Sequence, residues 1–124
     1  MIGSTRQVSV YAHTAPVDMR RSFDGLFALV EQGLGRDPLS GDMFLFVSRN
    51  RRRAKVLLWD GTGLCVYAKR LEKGRFTCLS SSVETSLRLT MTELQLFLEG
   101  TELIGRLPLS PAAYDPATKT LNAL

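Results

Sequence analysis

A single histidine, His13, in 124 residues excludes the common multi-histidine zinc sites. The two cysteines, Cys65 and Cys78, stand outside any CxxC spacing and are expected as buried, reduced thiols rather than a disulfide or metal pair. No apolar run approaches the roughly 18 residues of a membrane-spanning helix. The opening "MIGSTRQVSVYAH" lacks the apolar core of a secretory signal, so a cytoplasmic protein without membrane association is expected. Walker A loops, GxSxG elbows and cysteine–histidine pairings are missing. Carboxylates for metal-dependent phosphodiester chemistry do not converge. Asp60 and Glu72 fall at the two ends of one long hairpin strand, and Asp18 and Asp24, six apart, share no helix face. The expectation is a chain with no catalytic residue, no metal and no cofactor.

What the chain does carry is apolar content enough for a core and a strongly uneven charge. Hydrophobic residues make up 44% and charged ones 23%, which argues against wholesale disorder and for one domain. That domain is expected to span residues 1–104, with a proline-containing tail over 105–124. The net charge is +4, but Arg49 to Arg75 alone holds nine basic residues against two acidic ones, a net +7. The rest, with seven basic and ten acidic residues, is at −3. Such asymmetry is expected of a protein with a polyanionic partner.

Periodicity gives the elements. Val8, Val10 and Ala12 alternate with polar or amphipathic neighbours as in a short strand closed by Pro16. Asp18 is placed to cap a helix whose apolar stripe is Met19, Phe23, Leu26, Phe27, Val30 and Leu34, with Gly33 and Gly35 as stop signals. From Met43 the pattern changes to strands: "MFLFV", "KVLLW", "LCVYAKRL" and then "RFTCL". Asp60-Gly61-Thr62-Gly63 is a hairpin turn, and short connectors predict an antiparallel meander of about four strands. "TMTE" at Thr90–Glu93 fits a capping box opening a second helix, which Gly100 ends. The fold class is α+β: a mainly antiparallel meander sheet packed against two helices.

Meander topology makes a geometric prediction. The strand beginning at Lys55 runs away from the arginine-rich turn, and the next strand returns, carrying Lys69, Arg70, Lys73 and Arg75 back beside Arg49, Arg51, Arg52, Arg53 and Lys55. Two clusters some twenty residues apart become one cationic rim, whose self-repulsion phosphates would relieve. Arginine suits bidentate phosphate contacts. One such cluster alone would be read as a solvated loop tip; two that converge favour a polyanion site. Tyr67 and Phe76 could stack on bases, though alternating strand aromatics more often pack inward, as does Trp59.

Four stretches together resemble the small accessory protein of the insertion sequence 66 family, labelled TnpB or Orf2-like: "DMRRSFDGLFALV", "GDMFLFVSRNRRRAKVLLWDGTGL", "KRLEKGRF" and "LTMTELQLFLEG". The resemblance is collinear over about Val8 to Gly100. It implies a protein encoded beside a DDE-type transposase, needed for efficient transposition and without established catalysis. On the family's motif fall Asp18, Arg20, Asp24, Arg51, Arg52, Arg53, Trp59, Asp60, Lys69, Arg70, Arg75 and Phe76. The segment "TCLSSS" departs from the aromatic-then-proline pattern common there, and Ser22 stands where glycine is common.

The combined reading is a non-catalytic accessory protein for DNA transposition. Its partners are expected to be DNA, gripped through backbone phosphates with weak sequence preference, and the element-encoded transposase. An adaptor that binds the transposase without touching DNA, a minor metal-dependent nuclease and a structured-RNA binder are the alternatives.

Overall fold

The computed structural model describes residues 7–79 and 83–100. The expected domain limit near residue 104, the tail from 105 and the Ser80–Ser82 loop lie outside these residues. Five strands form one sheet in the order β4-β3-β2-β1-β5, where β1 is Val10–His13, β2 Met43–Val47, β3 Arg53–Trp59, β4 Leu64–Arg70 and β5 Ser86–Leu89. The pairs β2·β3, β3·β4 and β1·β5 are antiparallel, and β1·β2 is parallel. This is the α+β class expected, with two corrections. The consecutive meander has three strands, β2 to β4, and "RFTCL" is not a fourth. The remaining sheet positions are taken by β1 and by β5, "SLRL", whose four residues carry too short a pattern to be read as a strand.

Phe76 explains the first correction. It is fully buried, with its ring stacked 5.2 Å from that of Phe97. The alternation around it reflects one deep anchor into the core rather than a pleated ladder.

The two helices cover opposite faces of the sheet. Helix α2 (Met91–Glu99) presents Leu94 and Phe97 to Val10, Ala12, Leu45 and Ala54. Its capping box is as the sequence predicts: the Glu93 amide donates to Thr90 Oγ1 at 3.0 Å, and the Thr90 amide donates to Glu93 Oε1 at 2.8 Å. Helix α1 (Phe23–Ala28) continues into a wider turn, Leu29–Gly33, closed by the Leu34 amide donating to the Leu29 carbonyl five residues back. Leu26 and Val30 bury against Tyr11, Phe44, Phe46 and Leu57.

Asp18 does not cap α1. It starts a separate turn: its carboxylate accepts from the Arg20 amide and, in a fork, from the Arg20 guanidinium at 2.6 to 3.1 Å. That guanidinium, then the Arg20 amide, hold the carboxyl at a pKa of about 2. Helix α1 therefore begins at Phe23, four residues later than the cap position implied. The cysteines also differ from expectation. Cys65 and Cys78 are free thiols, but both are exposed, because Cys65 lies on the outermost strand and Cys78 falls where the fourth strand does not form.

Candidate nucleic-acid interface

The arginine-rich turn between β2 and β3 is organised by its own side chains. The Arg51 amide donates to the Ser48 carbonyl at 3.0 Å, closing a turn whose last residue, Arg51 itself, sits in the left-handed region at φ 59°. A side-chain-bearing residue there costs roughly 1 kcal/mol, so other bonds must hold it. Asn50 Oδ1 accepts from the Arg52 amide and from the Ser48 hydroxyl, and Ser48 Oγ accepts from the Arg53 amide. Asn50 is thus a turn residue, as its propensity suggests.

The returning segment is stitched onto that turn. In the β3·β4 register Arg53 lies opposite Arg70 and Ala54 opposite Lys69. Beyond the strands, the Leu71 amide donates to the Arg52 carbonyl at 2.8 Å, and the Phe76 amide to the Arg51 carbonyl at 2.7 Å. Arg51 completes the seam by donating from Nη1 to the Phe76 carbonyl at 3.1 Å. Between these bonds the chain makes the loop Glu72–Arg75, in which Gly74 adopts φ +71°. The two basic stretches therefore form adjacent loops at one end of the sheet.

Within this rim the nine cations are not equivalent. Lys55 reaches across to α1's approach segment and donates to the carbonyls of Met19 and Arg21, both at 2.8 Å. Lys69, on the other face, donates to the Leu98 carbonyl at 2.7 Å, at the negative end of α2. Arg51 is spent on Phe76. These three fasten the rim to the body of the fold. Arg70 pairs with Glu72 at 3.3 Å in an exposed ion pair, which solvent leaves readily exchangeable. Arg49, Arg52, Arg53, Lys73 and Arg75 are all exposed.

An open trough runs between the rim and the segment Pro16–Met19. One section, of about 370 Å³, is lined by Met19, Arg53, Lys55, Ala68, Arg70 and Glu72. The next, of about 530 Å³, shares Met19 and Arg53 and adds Arg49, Asn50 and Asp18. The segment Pro16–Met19 forms the far wall of this trough, a contribution that sequence reasoning missed. Nothing in its pattern signals this, and only the Lys55 bonds to the Met19 and Arg21 carbonyls reveal that the segment lies beside β3. Of the two aromatics considered for base stacking, Phe76 is core. Tyr67 is 52% exposed, but on the α2 side of the sheet, away from the trough.

The carboxylates are engaged locally. Asp60 Oδ1 accepts from the amides of Thr62 and Gly63, each at 2.9 Å, and from the Thr62 hydroxyl; these bonds lower its pKa to about 2. Asp60 and Glu72 stand at opposite ends of β4. Among the described residues, no group of three histidine, cysteine or acidic side chains could hold a metal ion. No helix among them is long and apolar enough to cross a membrane.

Residues 8–106 match the family described as IS66 Orf2 like protein. Two relatives come from Sinorhizobium fredii. Uncharacterized protein y4jC is 42% identical over 76 residues, 61% of this chain and 65% of that protein. Uncharacterized protein y4hO is 34% identical over 100 residues, 81% of this chain and 86% of the relative. The chain thus spans just under two thirds of the first relative and most of the second. No solved structure matches. The match covers both basic loops, both helices and every strand, and on it the chain belongs to the IS66 Orf2-like family of transposition-associated accessory proteins.

Proposed function

We propose that the chain is a non-catalytic accessory factor in insertion-sequence transposition, acting in the cytoplasm beside the element's transposase and holding element DNA by its phosphate backbone. Arg49, Arg52, Arg53, Arg70, Lys73 and Arg75 face the phosphates. Arg51, Lys55 and Lys69 hold that surface in shape. The observation that supports this reading most is the seam of main-chain bonds from Arg51 and Arg52 to Phe76 and Leu71. It keeps two like-charged loops side by side against their mutual repulsion, an arrangement that a neutralising polyanion would relieve. Neither helix is free to enter a major groove, since both lie flat on the sheet, so backbone contact with little base readout follows.

The test is a gel-shift series on terminal and scrambled duplexes across a salt gradient, with and without the transposase. With four to six phosphates engaged, log K falls with log salt at a slope of about −4 to −5. Replacing Arg49, Arg52 and Arg53 together by alanine reduces the steepness by between two and three. A slope unchanged by that triple replacement removes the turn from the site. Retention of transposase with no retention of DNA replaces this reading with that of an adaptor.

A further inference from the structure

Strand β4 is one of the two edges of the sheet, and among the described residues its centre is unprotected: "LCVYA" carries no charge, no proline and no bulge. Exposed edges of this kind pair with another strand unless something blunts them. Which backbone groups are available follows from the register. The Asp60 amide donates to the Gly63 carbonyl and the Leu71 amide to the Arg52 carbonyl, so odd-numbered residues along β4 bond inward to β3. By the alternation of an antiparallel ladder, Leu64, Val66, Ala68 and Arg70 turn their N–H and C=O groups outward.

That set is self-complementary. The geometry points to a two-fold dimer in which β4 of one copy pairs antiparallel with β4 of a second, centred on Tyr67. Leu64 then lies opposite the partner copy's Arg70 and Val66 opposite its Ala68, all four outward-facing residues matched in hydrogen-bonded pairs. Tyr67 meets its own counterpart at the axis as a non-hydrogen-bonded pair, with Cα atoms about 4.5 Å apart.

Charge supports the antiparallel arrangement. The strand is cationic at one end, through Lys69 and Arg70, and anionic at the other, where Asp60 stays ionised in its turn. Pairing places Lys69 and Arg70 of each copy beside the end of the partner strand that carries the Asp60 turn, with Glu72, already paired with Arg70, falling opposite the partner copy's Thr62. The side chains have room as well. On the α2 face Tyr67 borders a groove of about 300 Å³ lined almost wholly by apolar groups, including Val56, Leu58, Met91, Leu94 and Leu98. Helix α2 packs over the core residues of β1 to β3, and among the described residues the space beside Tyr67 is left to a second ring. This proposal is independent of what the basic rim binds.

Sedimentation of the full chain across a concentration series up to about 100 µM is expected to show a dimer. Tyr67→Lys, which brings two ammonium groups to the axis, is expected to give a monomer with an unchanged circular dichroism spectrum. In a background carrying Cys65→Ser and Cys78→Ser, Tyr67→Cys is expected to form a disulfide-linked dimer on mild oxidation. Ala68→Cys is expected not to, because its counterpart lies two residues along the partner strand, roughly 8–9 Å away and beyond disulfide reach. A chain that stays monomeric throughout the series overturns the proposal. So does cross-linking of Ala68→Cys in place of Tyr67→Cys. If the chain is monomeric but the Val66 and Ala68 amides resist hydrogen exchange, the edge is covered by residues 101–124 instead.

Discussion

Lys55 is a member of the basic cluster by sequence and a structural pin by geometry, and replacing it with methionine separates the two roles. The substitution keeps the apolar stem and removes the ammonium, leaving the carbonyls of Met19 and Arg21 without their 2.8 Å donors. Hydrogen bonds to a charged group contribute roughly 1.5–3 kcal/mol each. Both carbonyls lie near the surface and regain water, so about half of the gross sum survives, or about 2 kcal/mol. For a domain of this size that lowers the melting temperature by about 10 °C and shifts the urea midpoint at constant slope. DNA affinity measured well below the melting point is expected to keep its salt slope, whereas a lysine bound to phosphate would take about 0.9 out of it. A variant of unchanged stability whose slope drops by that amount refutes the assignment, and shows the ammonium leaving its carbonyls for DNA.

Other perturbations address the rest of the fold. Thr90→Ala removes half of the α2 capping box and is expected to cost about 1 kcal/mol in denaturant unfolding. Gly100→Ala forces a Cβ to within 2.9 Å of Leu71 Cδ1 at a backbone φ of +89°, with an expected loss of roughly 1–2 kcal/mol by the same measurement. Asp60 titrates lower in the folded chain than in the unfolded one, because the Thr62 and Gly63 amides bond to the ionised form. Its contribution is therefore complete above about pH 4 and is lost as the pH falls toward 2. Asp60→Asn is expected to flatten the stability-against-pH curve in that window and leave the curve's shape at neutral pH unaltered.

The parts of this fold that the sequence reveals are those governed by local chemistry. Thr90 and Glu93 cap α2 because a hydroxyl and a carboxylate three residues apart satisfy amides wherever a helix begins. The Asp60 turn and the three meander strands follow likewise from a turn signal between alternating runs. Convergence of the two basic loops is also legible, since antiparallel neighbours joined by a short turn must return to the same end. What is hidden depends on partners remote in the chain. β5 is a strand because β1 offers it an edge, and Phe76 is an anchor because Phe97 waits on α2. Asp18 turns toward Arg20 rather than a helix amide, a choice between two nearby donors that spacing does not decide. The division of the nine cations into exposed and fastening residues is likewise hidden. It depends on which carbonyls of Met19, Arg21, Phe76 and Leu98 the fold brings within a side chain's length.

The place of β1 in the sheet bears on how the chain is made. It is the first strand in sequence yet an interior one in space, flanked by β2 on one side and β5 on the other. His13 pairs with Ser86, 73 positions later (86 − 13). During synthesis the first strand must therefore wait with one side unzipped until nearly all of the described residues have left the ribosome. Long-range closure of this kind slows folding. A nascent chain stalled before Ser86 would expose Val10 and Ala12 beside an unfilled lane, open to invasion by any passing strand.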